Sequence, residues 1–360
     1  MLSIIHRYII RQIFFFFLMI NILVLILFAA VDYLSNMDEF FAAKISLVRA
    51  FYYVLLKLPM MTVQLTPAAF MIAVVAVFGL MNRHNEIVAL KSGGVSPTYM
   101  LVPTFILAGA VAFFMFFISE VVSPVTTAKA NKIRDFEIRK SSAITTGKKN
   151  IWIRGDRQIV HVSYYEPASK TIHGISLYRF DKGFKPSLRV DASSGEFIEG
   201  KWKLKDIMTI SLTDGQESVS VLSDETLSMD LGFTPKEARA ASVKSEEMGI
   251  GDLYKYINKV EADGYDATLY RVDFMSKISF PFSVFIMAIA AVSIASMRKF
   301  REKISISVGL GIFVLFLYWT LNGFSVSMGY GGMLPAIIAA WASNFVFFMA
   351  SAYFFLSPEG

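Results

Sequence analysis

The chain has no cysteine among its 360 residues. Disulfides, thiol catalysis and Cys-ligated metals are thereby excluded. Any extracytoplasmic domain must be stable on its core alone. Histidine is scarce: His6, His84, His161 and His173 share no helix face and form no HExxH. His161 and His173 fall on candidate strands and could meet across a sheet, but no metal site is expected. No Walker A sequence occurs, because Gly93-Gly94 is not followed by Lys and Ser or Thr. The chain therefore binds no ATP through a P-loop. Ser92 and Ser96 lack a GxSxG context and an obvious base. Charged residues are only 18% of the chain, against about 25% in soluble domains.

What is abundant is apolar: 55% of the residues are hydrophobic, above the usual 45–50% or so. The charges are unevenly laid out. Residues 121–277 hold 24 of the 35 Lys and Arg and 22 of the 29 Asp and Glu. The ends are thus membrane-like and the middle water-soluble. The net charge of +6 reflects topology more than nucleic-acid binding, since no aromatic-basic motif accompanies it.

Six segments can span a bilayer: about Ile13–Tyr33, Leu58–Met81, Met100–Val122, Ile278–Met297, Ile304–Phe324 and Leu334–Leu356. The second continues an amphipathic helix from Ser46. The first is too long for a cleavable signal and has no convincing small-residue cleavage site. Arg7 and Arg11, Arg83 and Lys91, and the run Arg298–Lys303 fall on one side of a six-span chain. That side reads as cytoplasmic, with both termini on it, and about 123–277 as periplasmic.

The middle reads as β. Residues 150–154, 158–164, 172–180, 194–198 and 202–212 are β-branched and aromatic runs punctuated by Gly155-Asp156, Asp181-Lys182-Gly183 and Asp214-Gly215. A sandwich or curled sheet is expected. Candidate inward residues are Ile151, Ile153, Ile159, Val162, Tyr164, Ile175, Leu177 and Phe180. Ile159 and Val162 have opposite parity, so a bulge or a different register must intervene. An amphipathic helix follows over 251–262, with Leu253, Tyr256, Ile257 and Val260 on one face. The domains are then 1–122 (spans one to three), 123–265 (the β domain with its terminal helix) and 266–360 (spans four to six).

The loop 82–97, NRHNEIVALKSGGVSP, is the most informative stretch. Asn82 can cap a short helix that Gly93-Gly94 and Pro97 end. Ile87 and Leu90 share a face beside Glu86, a shape that fits a groove on a partner. Asp32 and Glu120 close spans one and three and Lys57 precedes span two; such groups are functional candidates or hydrated anchors. The aromatic runs 14–17, 113–117 and 313–318 face lipid, pack, or line an acyl cavity.

Several stretches resemble the LptF/LptG permeases of lipopolysaccharide export, nearest the LptG branch. They are Arg7-Tyr8-Ile9, Val31–Leu34, Asn85–Gly93, Gly174–Tyr178, Leu253–Ile257, and Lys277-Ile278 leading to Pro281–Val284. The resemblance implies a six-span α-helical membrane protein with an inserted periplasmic β-jellyroll domain. It also implies pairing with an LptF-type second permease, docking of an LptB-type ATPase dimer on coupling helices, and an LptC-type jellyroll partner. Glu86 falls on the family's coupling-helix acid, and the ATPase-coupling set becomes Arg83, Glu86, Ile87, Leu90, Lys91 and Gly93. Lipopolysaccharide would pass laterally between spans one and five and then to the jellyroll. The candidate path is Phe28, Asp32, Tyr33, Phe313, Phe316, Leu317, Ile153, Val162, Tyr164 and Leu177. One departure stands out. Relatives carry lysines near the outer end of span one, where this chain has Asp32, Asp38 and Glu39, with Lys44 and Arg49 further on.

The expectation is a non-enzymatic permease subunit without cofactor or metal, in the bacterial inner membrane. The rival is an inner-membrane assembly or signalling scaffold whose β domain binds a ligand. A membrane-embedded hydrolase lacks a nucleophile–base set.

Overall fold

A computed structural model describes residues 4–94, 98–138, 151–155, 157–166, 171–181, 183, 185–198, 201–213, 216–222, 227–232, 244–262, 266–296 and 304–356. They belong to two compact units. One comprises Met1–Arg139 and Ser245–Gly360, the other Lys140–Lys244.

The first unit is helical. Its elements before the β unit are α1 (Ile4–Ser35), α2 (Met37–Ala42), α3 (Leu47–Arg83), α4 (Glu86–Ser92) and α5 (Thr98–Phe117). A π-helical turn at Ile118–Val122 carries α5 into α6 (Ser123–Ile133), and a second follows at Arg134–Ile138. After the β unit come α7 (Ile250–Ala262), α8 (Thr268–Ser279), a 3₁₀ turn at Phe280–Phe282, α9 (Ser283–Ser296), α10 (Ile304–Tyr330) and α11 (Ala336–Leu356). Among the described residues six stretches are long and apolar enough to cross a membrane: Ile4–Ser35, Leu47–Arg83, Leu101–Ile133, Thr268–Ala295, Ser305–Tyr330 and Ala336–Leu356. At about 1.5 Å per residue α3 is roughly 55 Å long, well beyond a hydrocarbon layer of about 30 Å. The basic run at 298–303 lies outside the described residues.

The fourth span is the centre of the bundle, 78% buried. Its α9 is rich in small side chains, with Ala288, Ala290, Ala291 and Ala295 all buried, which lets neighbouring backbones approach closely. Phe70, Val74 and Phe78 of α3 pack in the same core, as do Ile9, Ile13 and Phe17 of α1. At Gly329, a Cβ would come within 2.5 Å of Ala339 Cβ and 3.0 Å of Val272 Cγ2. The end of α10 thus needs glycine to close on α8 and α11. A buried polar chain ties the last three spans. Tyr318 OH donates to Asn344 Oδ1 at 2.9 Å, and Asn344 Nδ2 donates to the Ser279 carbonyl at 2.8 Å. In an apolar surround each such group needs a protein partner.

The sequence expectation put 123–265 with the β domain, but α6 and α7 fold with the helical unit. The reason is continuity. The π turn lets the third span run on through Pro124, and Ala130 and Ile133 pack against Ala50, Tyr53 and Val54 of α3.

The second unit is a seven-stranded antiparallel sheet: β1 (Ile151–Gly155), β2 (Gln158–Glu166), β3 (Thr171–Phe180), β4 (Pro186–Ile198), β5 (Lys201–Thr213), β6 (Gln216–Leu222) and β7 (Leu227–Met229). The first six pair in chain order, and β7 returns to pair with β5. β6 takes the far half of β5, opposite 207–213, and β7 takes the near half, opposite 202–204. Between the halves sits Asp206, with φ 53°. Gly174 on β3 has φ 62°, and a Cβ there would lie 2.6 Å from Ser163 Oγ. A crease runs through these positions. Along β3 the buried residues switch parity from Ile172 to Ile175, along β4 from Ala192 to Gly195, and along β5 from Leu204 to Ile207. The curl lets both halves bury one core of Val160, Val162, Ile172, Ile175, Leu177, Val190, Trp202, Leu204 and Ile207.

This resolves the parity conflict. Val160 is the inward neighbour of Val162, while Ile159 is only half-buried. Phe180, beyond a register shift at Arg179/Phe180, is half-buried and not part of that core. The side chains of Ile151, Ile153 and Tyr164 lie outside the described residues. His161 pairs with Ser176 and His173 with Tyr164, so the register does not place the two histidines opposite each other.

Candidate functional site

The loop that follows Asn82 begins where α3 ends. His84 N donates to the Leu80 carbonyl at 3.0 Å, and Asn85 reverses the chain with φ 60°, a conformation Asn tolerates. Ala89 N then donates to Asn85 O at 2.9 Å and Gly93 N to Ala89 O at 3.0 Å, closing the single short helix α4. Asn82 does not cap it. Its amide is buried and donates to the Ala295 carbonyl at 2.9 Å, fixing the end of α3 to the fourth span.

The apolar edge of α4 turns inward. Ile87 is 5% exposed within the core that contains Ile9 and Ile13, and Leu90 packs partly buried against it. This corrects the expectation that both fill a partner's groove. A seven-residue helix holds no shape alone in water, so its apolar residues are spent attaching it to its own bundle. Its outward side is Val88, Ala89 and Ser92, flanked by the exposed Arg83 and His84 before it and Gly93 after it. The Lys91 side chain and residues 95–97 lie outside the described residues. Glu86 is half-buried. Its carboxylate accepts from Tyr8 OH at 3.2 Å, and Tyr8 OH accepts from Gln12 Nε2 at 3.0 Å. His84 Nδ1 stands 3.9 Å from Glu86 Oε1.

The candidate lipid-path residues on the spans are brought to view. Phe28 on α1 and Phe313, Phe316 and Leu317 on α10 are all exposed. The spans that carry them are only 17% and 22% buried. Tyr33 is half-buried against Phe40, ring centroids 5.8 Å apart. Asp32 is no free acid: the Lys57 ammonium donates to its Oδ1 and also lies 5.4 Å from the Tyr53 ring centroid. The pair fastens the C-terminal end of α1 to α3 and pairs the acid with a cation, as a charge at membrane depth requires. Val162 and Leu177 are fully buried within the sheet's own core.

Sequence reasoning missed the polar seam at the end of the bundle opposite α4. Glu120 accepts Ile250 N at 2.7 and 2.8 Å, capping the start of α7, so it is neither a hydrated anchor nor a free functional acid. Asp273 accepts Tyr330 OH at 2.5 Å and the Ser245 hydroxyl, and Lys277 donates to the Met248 carbonyl. Arg49 forks onto Glu137 at 2.6 and 2.9 Å. Those hydrogen bonds hold the Glu137 carboxyl below its ordinary value. The only signal in the sequence was Asp273 and Lys277 four apart at the start of a span. Among the described residues no group of three or more His, Asp and Glu is placed to hold a metal.

With this geometry in place, the chain can be compared with known proteins. Residues 7–357 match the family described as the lipopolysaccharide export system permease LptF/LptG. The permease protein LptG of Escherichia coli K12 is 22% identical over 357 residues, covering 98% of this chain and 97% of its own length. The LptG of Haemophilus influenzae is 24% identical over 287 residues, 78% of each chain. A family match over nearly the whole length, on a six-span bundle with an inserted antiparallel sheet, settles the assignment: the chain belongs to the LptF/LptG family of lipopolysaccharide export permeases.

Proposed function

We propose that this chain is the LptG-type half of an ATP-driven exporter that withdraws lipopolysaccharide from the bacterial inner membrane and hands it to a periplasmic bridge. The observation that carries this is the family match from residue 7 to 357. Hydrolysis belongs to an LptB-type ATPase dimer beneath the membrane, and an LptF-type permease supplies the other half of the cavity. Supporting this, α1 and α10 leave most of their lengths uncovered. In a bilayer such bare apolar faces meet lipid or a partner subunit equally well, and in the proposed half-exporter the faces of α1 and α10 serve both.

The docking surface for the ATPase is the outward face of α4 around Arg83, Val88 and Ala89, with Glu86, Ile87 and Leu90 holding that face in place. Arg7, Arg11 and Arg83 are exposed at the α4 end of the bundle, which supports a cytoplasmic location for that end and for both termini. The β unit then lies in the periplasm. Its creased sheet is the jellyroll-type module that receives lipid, and its open edges are available to an LptC-type module by strand addition.

The test is purification of the intact chain from its own membranes in mild detergent. The expected companions are one ATPase, one further permease and bound lipopolysaccharide. Recovery of the chain with neither an ATPase nor a second permease would refute the reading and favour the scaffold.

A further inference from the structure

We propose that Tyr8 is a positioning residue that transmits displacement of α4 to the first span. The proposal rests on α4 being the ATPase-docking helix.

Span one grips the coupling loop at both ends. Tyr8 OH straddles the Glu86 carboxylate, 3.2 and 3.4 Å from its two oxygens, and is steadied by Gln12 one turn further on. Two residues before Tyr8, the His6 ring stacks on Tyr99 at the start of α5, centroids 4.2 Å apart and 26° between planes. Below these contacts Ile87 shares a core with Ile9 and Ile13. The covalent route from α4 back to α3 is a poor lever by comparison. It passes through a helix end and a reversal at Asn85, while α3 itself is held to the fourth span by the Asn82–Ala295 bond.

A push on α4 therefore meets α3, held to the fourth span, and α1, packed along α3 on one side through Ile9, Ile13 and Phe17 and bare on the other. The first span is the least buried of the six at 17%. At its far end the Asp32–Lys57 pair and the Tyr33–Phe40 contact tie it back to the outer end of the bundle. Because α1 stays packed on α3 through Ile9, Ile13 and Phe17, a drive at its N-terminal end turns or slides it along that seam, and exposed residues well away from the Asp32–Lys57 tie, Leu23 among them, move across the face that meets lipid. Motion is carried here by contiguous side-chain contacts with identifiable members, which makes it testable.

Tyr8→Phe removes the hydroxyl and leaves the ring, the Ile87 core and the outward face of α4 intact. The experiment uses the complete transporter in proteoliposomes containing lipopolysaccharide. It measures ATPase retained, ATP hydrolysed and lipopolysaccharide withdrawn per ATP. We expect Tyr8→Phe to retain the ATPase and to keep hydrolysing. Lipid withdrawn per ATP should fall about tenfold, the low end for one hydrogen bond to a charged group. A fluorophore at Leu23→Cys, the sole cysteine of this chain once the partner subunits are made cysteine-free, should shift on vanadate trapping in the parent protein and lose most of that shift with Tyr8→Phe. Unchanged lipid per ATP with an unchanged shift overturns the proposal. So does a loss of transport matched by loss of the ATPase, since Tyr8 would then only build the docking surface. If the parent chain retains no ATPase at all, the functional reading itself fails and this inference falls with it.

Discussion

Ile87 and Val88 are adjacent on α4 with opposite surroundings, and that contrast separates anchoring from docking. Ile87 is 5% exposed and Val88 44%. Ile87→Ala removes three carbons from a packed site, about 2.4 kcal/mol at roughly 0.8 kcal/mol per methylene, before any cavity term. Measured Ile→Ala changes in cores run from about 2 to 5 kcal/mol. A helix of seven residues has little stability of its own to set against such a loss. At about 1.4 kcal/mol per tenfold, a cost near 3 kcal/mol raises local opening of α4 by roughly a hundredfold. Hydrogen exchange reads this directly at the amides of Ala89 and Gly93, whose bonds to Asn85 O and Ala89 O close the helix. Ile87→Ala should speed their exchange about a hundredfold. Val88→Ala, losing half-exposed surface, should change it by less than about threefold. Val88→Asp should leave exchange alone yet strip the ATPase from the complex. Full protection of Ala89 and Gly93 in Ile87→Ala would refute the inward orientation of α4. Full ATPase retention by Val88→Asp would refute the outward face as the docking surface.

Three further outcomes are expected. Photo-crosslinkers at positions 28 and 316 should capture lipopolysaccharide in membranes, while those at 162 and 177, inside a closed core, should capture it only if ATP-driven transfer parts the sheet; capture at 162 and 177 but not at 28 or 316 would reverse the proposed order of contact. Because Glu137 has its pKa depressed by Arg49, the stability its ionised form contributes is fully present above the ordinary carboxylate pKa and is lost as pH falls through the lowered one. The melting-temperature gap between the parent and Glu137→Gln should accordingly shrink on acidification, and a gap that widens would contradict the assigned sign. Gly329→Leu should drive α10 away from α8 and α11 and lower the melting temperature, whereas Gly323→Leu on the same helix, with open space around its Cβ position, should be tolerated; equal effects would deny the close approach.

The spans were legible because about twenty apolar residues leave few alternatives. The strands were legible from their β-branched runs and turn residues. Which side of a strand faces inward was not, because the crease depends on Gly174 and Asp206 adopting positive φ. Gly174 inside a strand pattern was the available warning. At α4 the apolar stripe of Ile87 and Leu90 is visible in the sequence, but burial against one's own helices and burial against a partner use the same side chains. The Tyr8–Glu86 and Asp273–Tyr330 contacts join residues 78 and 57 positions apart, and local periodicity carries no such information. Glu120 was noticed for its depth, yet its partner is a backbone N–H, which no residue type announces.

The Tyr318–Asn344–Ser279 chain bears on how the protein is made. Chains emerge from the ribosome N-terminus first, so the fourth and fifth spans leave it ahead of Asn344. Alone in hydrocarbon, the sixth span would carry an amide with no partner, at a cost of a few kcal/mol. Its acceptor on Ser279 and its donor on Tyr318 have by then already emerged. The last span is thus built to join an existing pair rather than to insert by itself, and the order of synthesis supplies what its own sequence lacks.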